Sequence, residues 1–257
     1  MMQTVRRHVV PCGFETFGQL ALAAALALAL YLVLTPQTAM AQSASGTGSG
    51  SVSAPAPGQS DVRSVTIPDI QLSTDVTGFR SAKFGQSEAE VRAAIAKDFK
   101  IRPDAVHLIE SSTEKTRALI VRAPDVIPVQ GSGTAEISYV LGHGSGRLIQ
   151  ISLVWSKATD PKLTPDQLVA NAALLNEYFR AKAATPSEDR GLVPLSDGRF
   201  LLFRGKDAQK RTVMLIARGP LQANSDGSRS VVVDTLWLYY IQNFDNPDVF
   251  RLPPGSF

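Results

Sequence analysis

The chain has 257 residues, with 26 lysines and arginines against 23 aspartates and glutamates, a formal charge of +3. So slight an excess, spread without dense Lys/Arg clusters, excludes a nucleic-acid binder held by its charge. The single cysteine, Cys12, excludes an internal disulfide framework, so the hydrophobic core must hold the fold together unaided.

In chain order, Arg6 and Arg7 precede an unbroken apolar run of 15 residues, Leu20 to Leu34, and Ala39-Met40-Ala41 precedes Gln42. A positive n-region, a short apolar h-region and an A-x-A site make a secretory signal peptide over residues 1–41, cleaved between Ala41 and Gln42. The expected location is the periplasm. The run falls short of the roughly 20 residues of a membrane-spanning helix; the alternative is retention as an inner-membrane anchor through residues 17–34. The Arg6-Arg7 pair resembles a twin-arginine signal, but Val5 stands where a polar residue is usual and the run is very apolar, which favours the general secretory route. Cys12 lies before the run, so it is not the lipid-bearing cysteine of a lipoprotein. The leader holds two arginines and one glutamate, so 26 and 23 become 24 and 22 in the mature chain.

Residues 42–64 read as a linker. Gln42 to Ser60 consists almost wholly of Gly, Ser, Ala and Pro with short polar residues, and Val52 is its one larger apolar side chain. Such a segment cannot bury enough surface to offset its ordering entropy, and as a flexible tether it reaches roughly 25 Å. It serves as a spacer or as a new N-terminus with no role.

Two helices follow from cap chemistry. Ser87 with Glu90 three residues later is a capping box, and Val91, Ile95 and Phe99 form one apolar stripe that Pro103 cannot continue. Thr164, Pro165 and Gln167 open a second helix with the stripe Leu168, Ala172, Leu175 and Phe179. Strands are expected at 105–110, 117–122, 135–141, 147–155, 200–204, 212–218 and 231–241. The pair around Gly142-His143-Gly144-Ser145-Gly146 alternates as a hairpin with one buried face, its glycines explained by positive φ, and the last strand is apolar on both faces, hence central in its sheet. A helix followed by antiparallel strands, twice, predicts an α+β fold with helices packed on an antiparallel sheet in two tandem units, 65–160 and 161–257. One continuous sheet with both helices on one face is the alternative.

The stretch Phe79-Arg80-Ser81-Ala82-Lys83-Phe84-Gly85-Gln86-Ser87-Glu88-Ala89-Glu90-Val91, with the hairpin from Ser138–Leu141 into Arg147–Trp155, resembles small periplasmic α+β domains. In these a Phe-Gly turn leads into a Ser-capped helix. The family it resembles is that of the outer-membrane-assembly lipoproteins (SmpA/OmlA, or BamE), with the fold of β-lactamase-inhibitor proteins. The resemblance covers about residues 79–155 and implies a non-catalytic protein-binding module of the cell envelope. The chain departs from that family in lacking a lipidation cysteine and in carrying a second unit.

Candidate chemistry is sparse. Asp104, His107 and Glu110 are the one cluster of acid–base types beside a histidine, and strand geometry sends His107 away from the other two. His143 sits in the glycine turn, whose spacing matches neither G-x-G-x-x-G nor G-x-S-x-G. No Cys/His zinc set and no nucleophile elbow are present, so no catalytic residue, metal or cofactor is expected. Arg204, Lys206, Lys210 and Arg211 gather at an expected hairpin tip that, with His143, is the candidate surface for an acidic partner or anionic lipid. Trp237, Tyr239, Tyr240, Phe244 and Phe250 read as core rather than as a ligand platform; Phe257 follows Pro253-Pro254-Gly255, which cannot make the last strand of an outer-membrane barrel. The first expectation is therefore a secreted, non-catalytic interaction module with an envelope protein as partner, no nucleic acid, and membrane contact only through a retained leader or the basic hairpin. The alternatives are an envelope hydrolase acting on cell-wall or carbohydrate material with a pair of carboxylates, and a soluble carrier of an apolar ligand.

Overall fold

The computed structural model describes residues 69–185, 192–195, 198–223, 225, 227, 229–252 and 255–256. Residues 1–41, expected as a leader with Ala39, Ala41 and Gln42 at its cleavage site, residues 42–64, expected as a linker, and Phe257 lie outside the described residues. In chain order the elements are β1 (Ile70–Gln71), β2 (Gly78–Phe79), β3 (Ala82–Lys83), α1 (Glu88–Phe99), β4 (His107–Glu110), β5 (Arg117–Pro124), β6 (Thr134–Leu141), β7 (Leu148–Ser156), α2 (Pro165–Arg180), β8 (Val193–Pro194), β9 (Arg199–Lys206), β10 (Thr212–Arg218), β11 (Leu221–Ala223), β12 (Arg229–Val231) and β13 (Thr235–Ile241).

Both helices start where their caps place them. The Ser87 backbone N–H donates to Glu90 Oε2 at 2.7 Å while Ser87 Oγ accepts from the Glu90 N–H, and Thr164 and Gln167 repeat the exchange. α1 stops before Pro103: Lys100 turns left-handed at φ 57° and its N–H closes on the Ala96 carbonyl. Pro103 instead opens a 3₁₀ turn, Pro103–Ala105, which removes the first residues of the expected strand and leaves β4 only four long. Among the described residues, no helix is long and apolar enough to cross a membrane.

The architecture is α+β. One nine-stranded sheet runs β1-β9-β10-β13-β7-β6-β5-β4, with β8 also on β9; every pairing is antiparallel except β1 with β9. The strands that follow α1 and those that follow α2 join at β7 and β13, in register from Thr235↔Ser156 to Ile241↔Gln150. Val91 and Ile95 of α1 and Leu168, Ala172 and Phe179 of α2 enter the same core as Leu119, Ile137, Tyr139, Ile151, Leu153, Trp155, Leu215 and Leu238, so both helices cover one face of the sheet. Phe179 stacks on Phe203 at 5.6 Å and meets Tyr240 edge-on at 6.2 Å, so aromatic rings fill the space beneath α2. Fully burying side chains of this size contributes roughly 1.5–3 kcal/mol each.

Two expectations are corrected. The β6–β7 hairpin, expected to bury one face, is buried on both, so that Glu136 and Ser138, which alternate with the apolar residues of β6, are buried as well. β6 is an interior strand, and Glu136 pairs with Arg122 Nε at 3.2 Å. The 231–241 run is not one strand: β12 pairs with β11 in a separate ribbon, and Asp234, whose N–H donates to the Arg218 carbonyl, returns the chain to the main sheet as β13. β13 does lie between β10 and β7, with Leu236 and Leu238 toward the helices and Trp237, Tyr239 and Ile241 on the other face.

Candidate functional site

The β6–β7 and β9–β10 turns and the C-terminal tail meet at one end of the sheet, where they line a shared groove. In the first turn, Asp248 from the tail reaches back about a hundred residues. Its Oδ1 accepts from the Gly144 N–H and its Oδ2 from the Ser145 N–H, both at 2.9 Å, while its carbonyl accepts from the His143 N–H. The Ser145 bonds, then that from Gly144, outweigh partial burial and hold the carboxyl below the usual carboxylate range. The turn's glycines do not all bend the chain through positive φ, as was expected of them. Only Gly146 has positive φ, at 62°; a Cβ on Gly142 would run into the Asp248 carboxylate, and one on Gly144 would sit 3.1 Å from it. Two of the three glycines therefore admit a distant side chain rather than a left-handed backbone.

The tail continues over the β4–β5 turn. The Phe250 N–H donates to the Glu114 carbonyl at 2.8 Å, and the Phe250 ring meets His143 edge-on at 5.6 Å. His143 Nδ1 lies 3.3 Å from the Lys115 carbonyl. Glu114 is 5% exposed, its Oε2 has no hydrogen-bond partner among the described residues, and burial pushes its carboxyl up to about 7.

The second turn is organised from within. Asp207, 3% exposed, accepts from the N–H groups of Val76, Gln209 and Arg211 at 2.8–2.9 Å and from Arg211 Nε at 2.7 Å. Burial pushes its carboxyl up, but these donors and the guanidinium charge outweigh it and leave it lowered. The expected basic surface is largely neutralised here. Arg204 and Lys206 reach the two oxygens of Asp69 at 2.7 and 3.0 Å, Arg211 pairs with Asp207 and Asp75, and Arg204 also lies over the Phe244 ring at 4.5 Å. Lys210, left-handed at φ 64°, is the exposed member of the four.

His143 and Lys210 do come to the same end of the molecule, on different grooves. A groove of about 610 Å³ includes Arg147, Gln150, Gln209, Lys210, Asn243 and Asp248 in its walls; a second, of about 430 Å³, includes Glu110, Lys115, Arg117 and His143. Sequence reasoning missed Gln150: it is 5% exposed and its amide nitrogen has no hydrogen-bond partner, an arrangement that costs roughly 1–3 kcal/mol if left unmet. Its strand position gave no signal, because a polar residue there reads as solvent-facing. Asp104, His107 and Glu110 do not converge: Asp104 lies in the 3₁₀ turn on Arg102, and His107 and Glu110 are exposed at opposite ends of β4. Among the described residues, no group of three or more His, Cys, Asp or Glu is placed to hold a metal ion. Of the aromatic residues, Trp237, Tyr239 and Phe244 are buried together and Tyr240 packs beneath the helices, while Phe250 is exposed on the tail.

The two edges of the sheet differ. β9 is covered by β1 at Gly205 and Lys206 and by β8 at Leu201 and Phe200. β4 pairs only inward, with β5, and among the described residues its outer edge makes no backbone hydrogen bond; Leu108 on it is 45% exposed. Comparison with protein-family models, curated proteins and solved structures finds no match for this chain.

Proposed function

We propose that this chain is an exported, non-catalytic protein-interaction module of the cell envelope, which engages an envelope protein by strand addition at β4. The observation that carries the reading is the asymmetry of the sheet edges: short strands cover β9, whereas among the described residues β4's outer backbone groups are unpaired, beside an exposed Leu108. An open edge of that kind is a template for an added strand, with main-chain hydrogen bonds for affinity and alternate side chains for specificity. The leader, Arg6-Arg7 with Leu20–Leu34 and Ala39-Met40-Ala41, supports export to the periplasm. The carboxylates at the turn end support a non-catalytic role, since Asp207 and Asp248 are both occupied in holding backbone. The tandem reading rests on element order: each helix is followed by antiparallel strands, and β7 and β13 would be the equivalent last strands of the two units.

The test is capture of the tagged protein from the envelope fraction, with mass spectrometry of its mature N-terminus. The expected result is a chain starting at Gln42, with a stoichiometric envelope partner that is lost from Leu108→Lys while the melting temperature is unchanged. A partner retained by Leu108→Lys would overturn strand addition at β4. A chain remaining in the cytoplasm would overturn the envelope reading.

A further inference from the structure

The groove at the turn end is lined by the cations Arg147, Lys210 and Arg211, the last already paired, and by side-chain amides. Gln209 uses its side-chain oxygen to accept from Arg211 Nη2 at 2.9 Å, and Asn243 uses its own to accept from the Asn246 N–H at 3.0 Å. Each amide thus has one oxygen lone pair engaged and its NH₂ group still to offer. The one carboxylate in the walls, Asp248, is engaged by the Gly144 and Ser145 N–H groups. Arg147 is half-exposed and its nearest carboxylate, Glu90, lies 3.8 Å away, too far for a hydrogen bond; Lys210 is held out at the tip of its turn. Beneath them the Gln150 amide nitrogen is buried without a partner among the described residues. An unmet buried donor in the wall of a groove edged by two cations calls for an acceptor from outside the chain.

We propose that this groove binds an oxyanion, a carboxylate or phosphate group carried on a small acceptor-rich molecule. The anionic group lies between Arg147 and Lys210, and a second oxygen of the ligand takes the Gln150 amide N–H. The volume of about 610 Å³ suits a ligand of sugar-acid or dipeptide size. The site is separate from the β4 edge and does not depend on strand addition there.

The experiment follows the side-chain amide resonances of the ¹⁵N-labelled full chain. The probes are inorganic phosphate, glucuronate and an N-acetylated dipeptide with a free terminal carboxylate, each titrated separately. The expected result is a saturable shift of the Gln150 NH₂ signals with at least one probe, and the probe that saturates identifies the source of the anion. Arg147→Ala and Lys210→Ala should each weaken that binding about tenfold, the loss of one charge-assisted hydrogen bond. Lys157→Ala, an exposed cation just beyond the opposite end of β7, should leave it unchanged. No saturable shift with any probe up to its solubility limit would overturn the proposal, and so would equal weakening by Lys157→Ala, which would mean general charge attraction only.

Discussion

Two hairpin turns, side by side at one end of the sheet, are each organised by a single aspartate, and they do it from opposite distances along the chain. Asp207 belongs to the turn it holds: it binds the N–H groups of Gln209 and Arg211 a few residues on, and also pins Val76 to the hairpin. Asp248 is foreign to the β6–β7 turn and arrives from the C-terminal tail. The local aspartate is buried and charge-paired with Arg211; the distant one is half-exposed and is met by backbone donors in a turn whose glycines make room for it. The difference teaches that a turn can be stabilised by its own sequence or can serve as a receptor for another segment, and that glycine means something different in the two cases.

The largest expected effect breaks the local turn. Asp207→Ala removes the acceptor shared by Arg211 Nε and three N–H groups, one of them on the separate 72–78 segment, and leaves Arg211 only Asp75 and Gln209. Removing one partner of a buried pair costs about 3–5 kcal/mol, read as a shift of the denaturation midpoint. Because the folded-state pKa of Asp207 is lowered, the stability it contributes is present above the ordinary carboxylate pKa and is lost as pH falls through that lowered value. Asp207→Ala should therefore flatten the acid limb of the stability curve.

The distant clasp is expected to yield less and to show coupling across about a hundred residues. Gly142→Ala places a methyl group against Asp248 and should cost about 1–3 kcal/mol by overpacking. Asp248→Ala alone should cost about 1 kcal/mol, and the double substitution should cost less than the sum of the two. Strict additivity in that cycle would mean the turn does not receive Asp248 in solution.

Glu114, beneath the same tail, sharpens the comparison with the opposite sign. Its folded-state pKa is raised to about 7 from an ordinary 4.5 by burial. The unfolded chain therefore ionises first, and stability falls as pH rises from 4.5 through about 7. Glu114→Gln should be near neutral at pH 4 and should gain about 1–2 kcal/mol above the raised pKa, after allowance for solvent screening. Equal effects at both ends of that window would show that the carboxyl is not desolvated.

What the sequence made legible follows the range of the interactions. Both helix starts were readable, because a capping box closes within three residues. The central place of β13 was readable from its apolarity on both faces. The two-sided burial of β6 was not: Glu136 and Ser138 alternate with apolar residues as they would on an open face, and only the sheet order makes that strand interior. The basic cluster was visible as composition, yet its neutralisation depends on Asp69 and Asp75, over a hundred residues earlier, as well as on Asp207 within the turn. Asp248 left no local mark, since a Gly-rich turn has the same residues whether it bends by itself or admits a carboxylate. Gln150 was hidden for a related reason: its unmet amide is a property of the groove assembled around it, not of β7.

The most direct measurement places a photo-crosslinking amino acid, one at a time, at Leu108 on the open edge, Val193 on β8, the short strand laid beside β9, and Val169 on the exposed face of α2, in living cells. Strand addition at β4 requires a discrete crosslinked product from position 108 and little or none from 193 or 169. Products of equal strength at all three positions, or a product confined to 193 or 169, would contradict it.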